Sequence, residues 1–113
     1  MTEEQECYKI VLDIVQVLKR IQNKTKQKKQ LLLFQKEIIN SKNPWLCYNF
    51  ACLFKEADGI DIKALGKVIA ESNNAEICYH FAMDIEKADI IPLWKIVKKK
   101  CDKTTKEQFY NKY

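Results

Sequence analysis

Residues 39–51, INSKNPWLCYNFA, and residues 70–82, AESNNAEICYHFA, decide how this chain folds. Ser41 pairs with Ser72, Asn43 with Asn74, Cys47 with Cys78, Tyr48 with Tyr79, Phe50 with Phe81 and Ala51 with Ala82, always 31 positions apart. A second match follows each: residues 61–68, DIKALGKV, agree with residues 89–96, DIIPLWKI, at Asp, Ile, Leu and Lys with a spacing of 28. Three additional residues in the first copy, Asp58-Gly59-Ile60, account for the change of spacing. The shared residues are of two kinds. Asn and Asp precede an apolar run and suit a helix N-cap, whereas Cys, Tyr, Phe and Ala recur at the spacing of one helix face. The repeated unit is therefore a helix pair. Its small Cys and Ala permit close approach to a neighbour, and its aromatics fill the layer between.

Working outward, Thr2 and Gln5 have the spacing of a capping box, and Cys7, Ile10, Val11, Ile14, Val15, Leu18 and Ile21 form an apolar stripe on a helix within residues 1–22. Asn23 to Lys29, NKTKQKK, reads as a connection, although Lys and Gln are good helix formers and the stretch suits a first turn as well. Leu31, Leu32, Phe34, Ile38 and Ile39 then resume a helical pattern up to Ser41. Asn43-Pro44 starts a third helix running to about residue 55, because Pro at the first helical position has no N–H to leave unpaired. Asp61 caps a fourth to about residue 71, Asn74 a fifth to about residue 86, and Asp89 opens a sixth with Pro92 in its first turn. Thr105 and Gln108 start a short terminal helix within residues 99–113. The expectation is an all-α, single-domain bundle of six to seven short helices, with two-helix repeats over residues 33–98.

The strings Cys-Tyr-x-Phe-Ala and Ala-Asp-Ile-x-x-Leu resemble a class of short two-helix repeats in uncharacterised proteins of AT-rich bacteria and their phages. The resemblance covers residues 33–98 and implies no activity. The first copy departs from it at Asp58-Gly59-Ile60, and insertions of this kind often fall on the binding face of a repeat protein.

With 113 residues, 47% hydrophobic and 31% charged, the chain has the balance of an ordinary globule, and two Gly and two Pro leave little material for β-turns. Five cysteines, an odd number set among apolar residues, do not read as a secreted disulfide framework. The opening MTEEQECYKI lacks a secretory leader's pattern, and the apolar run in residues 10–18 is interrupted by Asp13 and Gln16, so a cytoplasmic protein without membrane insertion is expected.

His80, the single histidine, has no partner at metal-ligand spacing, and it lies two residues, or about 200° of helix, from Cys78. Asn49 occupies its place in the other copy, which suggests a polar, partly exposed position. The carboxylates Asp58, Asp61, Asp84, Glu86 and Asp89 cluster at helix ends where capping already explains them. No catalytic, metal or cofactor set emerges. The candidates for contact are what the copies do not share: Trp45, Trp94, Asp58, Gly59, Ile60 and His80. Two basic clusters join them, Lys24, Lys26, Lys28 and Lys29, and Lys98, Lys99, Lys100 and Lys103, within a net charge of +5. Such runs are solvated faces or contacts to phosphate or an acidic surface. Phe109, Tyr110 and Tyr113 beside Lys106 and Lys112 either stack bases or pack. The expected function is non-catalytic binding of a protein or ribonucleoprotein by a monomer or homodimer, in the specific form of a phage-encoded inhibitor of a host defence nuclease, of anti-CRISPR type. The alternative is nucleic-acid binding through the lysines.

Overall fold

The same turn is built twice. In the first copy the Ser41 hydroxyl donates to the Ile38 carbonyl at 2.6 Å and accepts from the Asn43 N–H at 3.2 Å. In the second, Ser72 repeats both bonds with Ile69 and Asn74 at the same lengths. The residue between is left-handed in each turn, with φ of 56° at Lys42 and at Asn73. The two buried thiols, Cys47 and Cys78, donate back to the Ile38 and Ile69 carbonyls at 3.7 and 3.5 Å. Asn43 accepts from the N–H groups of Trp45 and Leu46, and Asn74 from that of Ile77, which satisfies N–H groups otherwise orphaned at a helix start.

The computed structural model describes residues 2–112. Among them are seven helices: α1 (Glu3–Lys19), α2 (Lys24–Asn40), α3 (Pro44–Phe54), α4 (Ile62–Glu71), α5 (Ala75–Asp84), α6 (Ile90–Lys100) and α7 (Lys103–Lys112). The odd helices pack in succession, α1 on α3, α3 on α5 and α5 on α7, and the even ones do the same from α2 to α4 to α6. Two layers result, extending 48 × 30 × 21 Å. The core lies between them: Phe50, Phe81, Leu65, Ile69, Ile77, Leu93 and Val97 are essentially inaccessible to solvent. Gly66 permits a close approach of α4 to α5, since a Cβ there would stand 3.2 Å from the Phe81 ring.

The capping box at Thr2 and Gln5 forms as its spacing predicts. Several local details sharpen or correct the sequence reading. Of the two readings of residues 23–29, the first turn holds and the connection does not: Asn23 caps α2 by accepting from the Lys26 N–H at 3.1 Å, and the lysines occupy its first turns. Helix α5 stops at Asp84, because Ile85 turns extended and inserts into the core with 1% exposure. The cap of α7 is Asp102, whose carboxylate accepts from the Thr105 N–H at 2.8 Å; Gln108 instead accepts from the Tyr79 hydroxyl at 2.7 Å. His80 is half-buried, in keeping with a polar, partly exposed position, whereas its counterpart Asn49 is buried, its amide donating to the Trp45 carbonyl at 2.9 Å one turn back. On α1 the buried stripe narrows to Cys7, Val11, Ile14 and Leu18, leaving Ile10 exposed on its flank.

Candidate functional site

Helix α6 turns Leu93 and Val97 into the core, which places Ile91, Lys95 and Lys98 on its outward side at intervals of three and four residues. Trp94 lies on the flank between the two sides and meets α7. Its ring stacks on Phe109 at 5.0 Å with planes 30° apart, and Tyr110 meets it edge-on at 4.8 Å. Phe109 is buried and anchors α7, whereas Tyr110 is 67% and Ile91 64% exposed. Ile90, Ile91, Trp94, Phe109 and Tyr110 together line a shallow cavity of about 190 Å³. Lys103 and Lys106 precede Tyr110 by seven and four residues and so lie along the same side of α7. The face is thus an apolar and aromatic centre bordered by Lys95, Lys98, Lys103 and Lys106, with one carboxylate among them, Glu107, 4.0 Å from Lys103. Large rings that bury much area at low entropic cost are the usual anchors of such surfaces.

The other candidate residues lie elsewhere. Trp45 stands edge-on to Tyr48 with ring centroids 6.3 Å apart. The Asp58-Gly59-Ile60 insertion is fastened to α2: Lys28 pairs with Asp58 at 2.6 Å, and the buried Gln35 donates to the Gly59 carbonyl at 3.3 Å while accepting from the Asp61 N–H at 2.7 Å. Gly59, at φ 88°, sits directly over Leu32.

The two lysine clusters do not converge. Tyr48 of α3 meets His80 of α5 at 6.3 Å, and Lys55 and Glu56 at the end of α3 line one recess with Ile85 and Glu86 at the end of α5, so α3 and α5 run in the same direction. The first cluster lies by the C-terminal end of α3, where Lys28 holds Asp58. The second lies by the N-terminal end of α5, where Lys100 donates to the Asn73 carbonyl at 2.8 Å. The lysines therefore occupy opposite ends of the molecule. Tyr113 lies outside the described residues.

No protein-family model, curated protein or solved structure matches the chain.

His80 is held between two rings, 5.4 Å from Tyr79 and 6.3 Å from Tyr48. Burial pushes the Cys47 and Cys78 thiols up to about 12, far from the thiolate form a nucleophile needs at neutral pH. Cys52 is raised for the same reason. Burial, reinforced by the hydrogen bond to Asp84, holds the Tyr48 phenol well above its ordinary value. Among the described residues, no three His, Cys, Asp or Glu side chains converge as a metal site, and no helix is long and apolar enough to cross a membrane.

Trp94 and the C-terminal lysines were visible in the sequence as candidates, but Ile91 and Tyr110 were not joined to them. The signal for Ile91 was its place opposite Leu93 and Val97. The contact of Tyr110 with Trp94 links residues 16 apart across a helix break and has no local signature.

Proposed function

We propose that the chain is a non-catalytic binding protein of helical-repeat type, and that it engages a macromolecular partner with the α6–α7 face. The observation that carries this reading is the Ile91, Trp94 and Tyr110 cluster, exposed at its centre and bordered by four lysines. Its composition suits an acidic or phosphate-bearing surface, with the apolar centre supplying contact area and the lysines steering approach. Within the inhibitor reading, this charge does not complement the basic groove in which a nuclease holds its substrate. It suits the RNA of a ribonucleoprotein, or an acidic surface outside that groove.

The test is capture from bacterial lysate by the full chain and by Ile91→Asp and Tyr110→Ala, both at exposed positions that fold without strain. A partner recovered at near-equal stoichiometry by the parent chain and lost by both variants supports the reading. Equal recovery by all three overturns it.

A second reading, single-stranded nucleic-acid binding, is favoured by one observation: Tyr110 and Trp94 offer ring surfaces between two rows of lysine, the combination used to stack bases and track a backbone. Titrating a labelled oligonucleotide at low and moderate salt separates the two. Binding that weakens steeply with salt and is lost in Tyr110→Ala supports it; no binding at low salt removes it.

A further inference from the structure

The turn between α1 and α2 opens a second recess, at the opposite end from the α6–α7 face and independent of it. Helix α1 ends at Lys19 and α2 begins at Lys24, and the wedge between them is closed below by Phe54 and Ala57 at the end of α3. The cavity measures about 360 Å³, within the roughly 300–1,000 Å³ typical of small-molecule sites. Its walls are apolar: Val15, Leu18, Leu31, Phe54 and Ala57. Its rim is not, for Lys19, Lys24 and Lys28 stand around the mouth with a single carboxylate, Asp58, among them. Asp58 engages Lys28 at 2.6 Å. Lys19 and Lys24 have no ion pair among the described residues. The Gln27 amide is committed to the Leu18 carbonyl at 2.8 Å and so holds the turn in place.

A compact oxyanion such as phosphate would use the lysines and leave the apolar walls uncovered. A neutral hydrocarbon would cover the walls and gain nothing from the rim. Only an amphipathic anion uses both, with an alkyl chain against Leu18, Leu31 and Phe54 and a charged head between Lys19 and Lys24. We propose that this cavity binds a free medium-chain fatty carboxylate.

Sodium decanoate is the probe, titrated calorimetrically into the full chain at low salt, with decanol as its uncharged counterpart. Saturable one-to-one binding is expected, with decanol about tenfold weaker, since its uncharged head gains no ion pairing from the lysines at a partly desolvated rim. The exposed pair Lys19→Gln and Lys24→Gln should lower decanoate affinity about tenfold without changing that for decanol. Asp58→Asn, which releases Lys28, should raise decanoate affinity about threefold. Ala57→Phe fills the cavity and should abolish binding while the helical circular dichroism is kept. Co-sedimentation with phosphatidylglycerol vesicles distinguishes a free carboxylate from a membrane surface, and the chain should stay in the supernatant. No saturable decanoate binding, equal affinity for decanol, full affinity in the Lys19, Lys24 double variant, or sedimentation with the vesicles would each overturn the proposal. The lysine variants keep the test decisive if Ala57→Phe does not fold.

Discussion

At Gly59 the chain takes a φ of 88° with Leu32 beneath it, and a Cβ would fall 2.9 Å from Leu32 Cδ2. Gly59→Ala should therefore destabilise the protein by about 1–2 kcal/mol, part from the left-handed backbone and part from the contact. Leu32→Ala in the same chain should relieve only the second part, which denaturant melts of the single and double variants will resolve. Gln35, itself buried and bonded to both Gly59 and Asp61, should cost about 1–2 kcal/mol on replacement by Ala, because two part-buried hydrogen bonds that fasten the loop are lost. The thiols give a pH prediction. Cys47 and Cys78 ionise near 9 in an unfolded chain and near 12 when folded, so between these values the unfolded state has released protons that the folded state retains. Their contribution to stability is complete below pH 9 and is lost as pH rises toward 12. Urea melts at pH 8 and pH 11 should show this fall, and the Cys47→Ala, Cys78→Ala double variant should show less of it. The caps at Thr2, Asn43, Asp61 and Asn74 were legible in the sequence because a cap is a local rule; those at Asn23 and Asp102 were not read, and Asp89 starts α6 without a side-chain cap bond. The role of Asn49 was not legible: its burial is set by the packing of neighbouring helices around α3, which no spacing within residues 44–55 encodes.

At the scale of the element, helix starts were read better than helix ends. Asn43, Asp61 and Asn74 each cap where expected, because the N-cap bond needs a particular side chain. The ends depend on tertiary forces. Helix α5 stops where the core draws in Ile85. The exception among the starts is α2, which begins in a lysine-rich stretch that has helical propensity but little apolar periodicity. The two left-handed turn residues supply a test. Lys tolerates φ 56° less well than Asn, whose short polar side chain favours that region. Lys42→Gly should raise stability by about 0.5–1 kcal/mol, and Asn73→Gly, at the equivalent point, should raise it by less. Thermal melts that rank the two variants the other way would mean that the matching turns are not energetically equivalent.

Across the whole molecule the duplicated motif sets up two layers, and the positions where the copies differ are spread over both ends of them. The Asp58 insertion, singled out as a loop suited to binding, is fastened to α2 by Lys28 and Gln35. Trp94, by contrast, takes the place of Gly66 and meets Tyr110 in an exposed aromatic cluster. That difference is invisible in the sequence, because whether an unshared residue is held or exposed depends on which helix its neighbour belongs to. Since the lysine clusters lie at opposite ends, binding through the α6–α7 face should depend on one of them alone. Lys98→Gln with Lys103→Gln should weaken partner capture several-fold, and Lys26→Gln with Lys29→Gln should leave it unchanged. The central claim is the location of the binding face, and hydrogen exchange on the captured complex tests it most directly. Slowed exchange confined to α6 and α7, with α1 and α2 as in the free chain, is the predicted result; protection of α1 with α6 and α7 unchanged would contradict it.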